Sequence, residues 1–227
     1  MTNPKWEEEI IVVSRKELFE DEELTFQGTQ TNSVIVQALL ENIEKHHTTM
    51  RRGGGHKDTE PAENNAEINY DYKQPIPYAL IKRGHELFAY ERLAGGGETR
   101  LHSKISLGVG GHMNKTKGTF NDSLLDNLRR ELNEEVDIQA DYQHMETIGF
   151  INDDNEDVSK VHIGLLVVIN LPEDAEVTVR ETDQLRGFWM PIAELLENQS
   201  AYERLENWSQ IAVDYLYNYL PESELSK

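Results

Sequence analysis

Three glutamates, Glu131, Glu134 and Glu135, lie in the run Arg130-Glu131-Leu132-Asn133-Glu134-Glu135-Val136. On a helix their spacing by three and four gathers them within an arc of about 100°. Leu124, Leu125, Leu128, Leu132 and Val136 recur at the same period and predict a buried stripe on a helix starting near Asn121. The acidic arc overlaps the edge of that stripe, with Glu135 beside Leu128 and Glu131 close to Leu124. Acids so placed are partly withdrawn from water, and they either take up protons with raised pKa values or gather a cation. Arg130 supplies one positive charge. An all-oxygen set suits a hard ion, Mg²⁺ or Mn²⁺, better than zinc, and magnesium completes its shell with water and substrate phosphates. The chemistry expected is therefore at phosphate. A solvated acidic helix face is the plainer reading, outweighed by the coincidence of arginine, apolar spacing and the upstream turn Gly108-Val109-Gly110-Gly111.

Arg130 to Ile138 resembles REUxEExGU, the signature of the Nudix (MutT-type) hydrolases, which a glycine-rich turn and an acid precede in the family. Asp137 stands where the family has glycine. The family's upstream glutamate falls at Asp122, expected to pair with Arg130. Gly110-Gly111-His112 resembles the GGH turn, but eleven residue steps separate Gly111 from Asp122 where the family has six, so this loop is about five residues longer. The resemblance covers Gln74 to about Leu220. It is greatest to the branch described as predicted MutT-family phosphoesterases, whose members share an N-terminal extension and a GVGGH turn.

The resemblance implies an α/β fold, a Nudix-like α/β/α sandwich with a mixed sheet. Residues 1–72 would form an N-terminal extension, 73–222 the hydrolase domain and 223–227 a tail. It implies that Glu131, Glu134 and Glu135 hold Mg²⁺ or Mn²⁺, and that Arg130 orients a carboxylate instead of touching substrate. The backbone N–H groups of Gly110 and Gly111 would approach a phosphate where a side chain would block it. His112 reads equally as a substrate contact or a structural hydrogen-bonding group. A further acid, as extra ligand or as base, is expected late in the chain; Glu181 is favoured over Asp183 and over the acidic loop 152–157. Arg92 and Lys104 read either as partners of a second phosphate or as isolated surface cations.

The function implied is a divalent-metal-dependent pyrophosphohydrolase cleaving a P–O–P bond in a nucleoside diphosphate linked to another moiety. The alternative is a non-catalytic nucleotide-binding or regulatory module on the same fold, motivated by Asp137, Asp122 and the lengthened loop. Isomerase chemistry on isoprenoid diphosphates, also found on this fold, uses a cysteine nucleophile in the relatives; this chain has no cysteine.

At 227 residues the chain is long enough to bury a sizeable core. The absence of cysteine excludes disulfides and thiolate metal sites. A net charge of -20 repels nucleic-acid duplexes and anionic membranes, while leaving a small nucleotide free to bind where a metal and local cations set the field. No run approaches 18 apolar residues and no leader is evident, so the expected location is cytoplasmic. A homodimer is expected by analogy alone.

Ile10 to Val13 reads as a strand, and Ser33 to His46 as a helix capped near Asn32. Residues 48 to 70 read as a mobile loop or linker. Two strands flank Arg83-Gly84-His85 as a hairpin, Gly95 to Gly97 mark a second turn, and His102 to Val109 reads as a strand. Met145 to Ile151, Val161 to Leu171 and Gln184 to Met190 read as strands, the second buried on both faces. A short helix opens at Pro191, and Ala201 to Leu220 reads as one long helix with Tyr202, Leu205, Trp208, Ile211 and Tyr215 on its core face. Asp153, Asn155 and Asp157 mimic the start of a calcium loop, but Val158 and Gly164 replace residues such a loop needs, which excludes calcium there.

Overall fold

In the computed structural model, which describes residues 4–53, 61–93, 104–141 and 145–219, the N-terminal helix begins where the sequence places it. The Asn32 side chain accepts the N–H groups of Val34 and Ile35, satisfying two donors that have no partner inside the helix.

The chain is mixed α/β with a large mixed sheet. In order it forms β1 (Glu9–Ser14), α1 (Arg15–Leu18), β2 (Gly28–Gln30), α2 (Ser33–His46), β3 (Thr48–Arg51), β4 (Tyr72–Arg83), β5 (Glu86–Arg92), β6 (Ile105–Ser106) and β7 (Gly108–Val109). There follow α3 (Phe120–Glu135), β8 (Val136–Gln139), β9 (Glu146–Asn152), α4 (Asp157–Lys160), β10 (His162–Leu171), β11 (Glu176–Val179), β12 (Leu185–Pro191), α5 (Ile192–Glu197), α6 (Gln199–Arg204) and α7 (Asn207–Tyr219). Among the described residues no helix is long and apolar enough to cross a membrane.

Two compact units share these segments. The first comprises Met1–Pro77, Gly111–Leu128 and Ile148–Leu165, the second Tyr78–Gly110, Arg129–Thr147 and Leu166–Lys227. In the first, β1 pairs antiparallel with β3 and with the start of β4, and β2 pairs antiparallel with β9. Its core includes Ile11, Phe19, Leu39, Phe120, Phe150 and Ile163. The lengthened loop is tied down here: Ile11 donates its N–H to the Met113 carbonyl at 2.7 Å, and Asn114 and Asn127 exchange hydrogen bonds at 3.0 and 2.7 Å. Glu44 of α2 accepts the Phe120 N–H at 2.9 Å, placing an acid at the positive start of α3.

In the second unit β12 pairs antiparallel with β5 from Leu185 opposite Arg92 to Pro191 opposite Glu86. The hairpin closes at Gly84, whose φ of +47° is easily reached only without a side chain. β7 lies against β4, and there Gly108 is required: a Cβ would run into the Tyr78 ring, whose hydroxyl is fixed 2.8 Å from Ser209 Oγ.

Two expectations change. Within 48–70, Thr48–Arg51 is a strand that saturates β1, too short to show a period, and Ala62–Asn64 and Ala66–Ile68 are 3-10 turns; residues 54–60 lie outside the described set. The glycine turn at 95–97 and the start of the strand read from His102 also lie outside it. The long terminal helix is broken at Leu205 and Glu206, because Leu205 bridges to Ile105 and the Glu206 N–H donates to the Ile105 carbonyl at 2.9 Å.

Candidate active site

Helix α3 ends at Glu135, and the chain turns at once into β8. Val136, expected to close the helical stripe, instead opens a strand opposite Val179, where its side chain is equally buried. Arg180 seals the junction. Its N–H donates to the Glu135 carbonyl at 2.9 Å, its Nε to the Val136 carbonyl at 3.0 Å, and its Nη2 to Asp137 Oδ1 at 2.9 Å. Two carbonyls at the end of the helix, which helical bonding leaves without partners, are thereby satisfied. The aspartate that replaces the signature glycine gains a cationic partner. Asp137 lies on extended strand backbone, and the positive-φ non-glycine residues described are Glu20, Asp21 and Glu22, so nothing in the backbone at 137 demands glycine.

Arg130 Nη2 holds Glu131 Oε1 at 2.8 Å, and its Nη1 lies 3.4 Å from Glu134 Oε2. Glu131 is buried, Glu134 exposed and Glu135 between the two. Burial above all, and then the negative charge of Glu131, push the Glu135 carboxyl up to about 7; Arg92 pulls it down, while Glu181 and Glu206 add to the rise. The hydrogen bond of Arg180 to Glu135 explains why Glu181, the next residue, acts on this group. The second unit therefore gathers Glu131, Glu135, Glu181 and Arg92 into one electrostatic neighbourhood, with Glu134 joined to it through Arg130. Lys104 is engaged differently, donating Nζ to the Glu203 carbonyl at 3.0 Å. Gly110 is half-buried at the end of a segment of that unit.

Gly111 and His112 belong to the first unit. There His112 Nε2 lies 3.4 Å from His162 Nε2 and 3.6 Å from Glu67 Oε1. Asp122, expected beside Arg130, instead closes the start of α3: it accepts the N–H and Oγ1 of Thr119, each at 2.8 Å, while its own N–H donates back to Thr119 Oγ1 at 3.1 Å. This reciprocal cap uses the shorter acid well.

Glu206 escapes a sequence reading. It lies in what reads as continuous helix, and the break at Leu205 carries its carboxylate inward, where Ser106 Oγ donates to it at 2.5 Å and Tyr78 Oη at 3.4 Å. Burial raises its pKa against these hydrogen bonds. Tyr78 and Tyr90 are likewise pushed up by burial and keep their hydroxyl protons; Tyr90 donates to the Gly108 carbonyl at 3.0 Å. The only hint in sequence is Asn207, a residue type common at helix starts.

The acids of the second unit are all oxygen donors, the chemistry a hard divalent ion prefers, and burial together with the charge of Glu131 and Glu181 raises the proton affinity of Glu135; among the described residues the three ligand atoms that lie within 4.8 Å of one another are those of Glu67, His112 and His162.

No family model matches the chain. Protein YmaB of Bacillus subtilis (strain 168) is 46% identical over 215 residues, 93% of this chain and 98% of YmaB, so the two are members of one family. The crystal structure of Tm1382, a protein proposed to be a Nudix hydrolase, matches with a TM-score of 0.70 at 27% identity, covering 93% of this chain and 99% of that one. The chain belongs to the Nudix hydrolase family. As a Nudix-type hydrolase it carries the signature residues on α3 and at the start of β8, and the mixed α/β fold extends over nearly the whole of Tm1382.

Proposed function

We propose that this Nudix hydrolase is a divalent-metal-dependent pyrophosphohydrolase that cleaves a P–O–P bond in a nucleoside diphosphate linked to another moiety. The placement of the signature acids supports this reading: Glu131 lies held by Arg130 one turn from Glu135, which burial first and the charge of Glu131 second push up to about 7, leaving negative charge there that a cation would relieve. Glu131, Glu134 and Glu135 would hold Mg²⁺ or Mn²⁺. When bound, such an ion supplies charge withdrawal at diphosphate oxygens and makes water more acidic. Arg130 keeps Glu131 and Glu134 in register through its two contacts. Glu181 takes the proton of the attacking water or serves as a further ligand. Arg92, Lys104 and the Gly110 N–H bind phosphate oxygens; for Gly111 and His112 the phosphate role rests on the resemblance alone. Residues 1–72 form an extension that precedes a hydrolase domain at 73–222, and the bonds from Ile11 and Glu44 suit that extension to bracing the lengthened loop and α3.

Nucleoside diphosphate sugars, dinucleoside polyphosphates and dinucleotide cofactors, each incubated with Mg²⁺ and with Mn²⁺, test this directly. Product is expected from at least one class, and Glu134→Gln or Glu135→Gln should abolish it while circular dichroism stays native. Undiminished turnover by both variants would overturn the assignment. Nucleotide binding by calorimetry without product in long incubations would favour the regulatory alternative.

A further inference from the structure

In the first unit three side chains converge that take no part in the carboxylate cluster. Glu67 comes from the 3-10 turn Ala66–Ile68, His112 from the segment after the glycine turn, and His162 opens β10. One ligand atom from each lies within 4.8 Å of the other two. We propose that Glu67, His112 and His162 form a second metal site, selective for a divalent transition ion of the zinc class, separate from the acids of α3.

The three ligand atoms lie close enough together to share one ion. His162 Nδ1 lies 2.6 Å from the Val158 carbonyl, an oxygen that can only accept, so Nδ1 carries the proton and Nε2 carries the lone pair. Anchoring one imidazole nitrogen to a backbone carbonyl so that the other can ligate is the usual support of a metal-bound histidine. Two nitrogens bonded tetrahedrally to zinc at ordinary lengths lie about 3.3 Å apart; the two Nε2 atoms are separated by 3.4 Å, and His112 Nε2 and Glu67 Oε1 by 3.6 Å.

Glu67 is itself positioned. Arg52 Nε donates to its Oε1 at 2.9 Å, and its own N–H donates to Asn65 Oδ1 and to the Arg52 carbonyl, each at 3.1 Å. Arg52 and the buried Lys73 bring positive charge to this region, which leaves the Glu67 carboxylate as the anionic donor a bound cation would need. Two imidazoles and one carboxylate favour zinc over magnesium, and three protein ligands leave a fourth position for water. Bound there, the ion clips the turn carrying Glu67 to His112 and to the start of β10.

The test is zinc uptake by the full chain, stripped with a chelator and titrated in excess Mg²⁺, read by metal analysis and thermal melting. One equivalent of zinc and a raised Tm are expected, both kept by the double variant Glu134→Gln, Glu135→Gln. His112→Asn and Glu67→Gln should each weaken zinc binding at least about tenfold. His112 is partly exposed, so its replacement carries the test even if the buried His162→Asn variant fails to fold. Zinc uptake equal in wild type and His112→Asn, or lost only with the α3 glutamates, would overturn the proposal and leave an imidazole hydrogen bond in its place.

Discussion

The backbone N–H of Arg180 donates to the carbonyl of Glu135 across 2.9 Å, joining the last residue of the acidic helix to the residue preceding Glu181. One hydrogen bond thus brings two separately encoded acids within electrostatic reach of each other, and the Arg180 guanidinium secures it through Val136 and Asp137.

Arg180→Ala keeps the backbone bond but removes both side-chain contacts. We expect a loss of about 1–3 kcal/mol, typical of charge-assisted hydrogen bonds, with kcat falling more than KM changes as Glu181 drifts. Chemical denaturation and steady-state kinetics on the same preparations check this. Asp137→Gly in the wild-type background should be mild; a large loss would show that Asp137 matters beyond its pairing with Arg180.

The Glu135 carboxyl, raised to about 7 from an ordinary 4.5, makes the metal-free fold sensitive to alkali. A raised folded pKa means that the folded state holds the proton more tightly, so this stability is complete below about pH 4.5 and lost as pH rises through about 7. Melting temperature of the metal-free protein should fall by several degrees across that window, and Glu135→Gln should flatten the fall. Saturating Mg²⁺ should restore stability mainly at the upper end.

Asp154 behaves oppositely. Although burial pushes it up, hydrogen bonds from Arg15 and Lys73 prevail and hold it at about 2, so its contribution is full above an ordinary 3.8 and disappears as pH falls through about 2. Lys73, fully buried, lies 2.7 Å from its Oδ1. Asp154→Asn strands that ammonium and should cost roughly 3–5 kcal/mol, measured by urea unfolding, whereas Lys73→Met combined with Asp154→Asn should recover much of the loss.

Gly108→Ala places a methyl group inside the Tyr78 ring, which a hydrogen bond to Ser209 and an edge contact with Trp208 hold in place. A loss of about 1–3 kcal/mol is expected from overpacking. Pairing it with Tyr78→Ala should give less than the sum of the single losses, as a double-mutant cycle would reveal; strict additivity would place the strain elsewhere.

Much of this was legible one residue at a time. The cap at Asn32, the hairpin at Gly84, the buried run of β10 and the leucine stripe of α3 all follow from local periods and backbone preferences, and the acids Glu131, Glu134 and Glu135 announce themselves by helical spacing. The strand at Thr48–Arg51 and the break at Leu205 were not legible, because each answers to a partner far along the chain, β1 in one case and Ile105 in the other.

The sequence by itself determined which elements exist and which carboxylates share a helix face, since short-range geometry needs no distant partner. Only the tertiary structure decided that Glu181 acts on Glu135, that Glu206 turns inward, and that Glu67, His112 and His162 converge. Those meetings depend on strand pairing and packing between residues tens of positions apart, which no local pattern encodes.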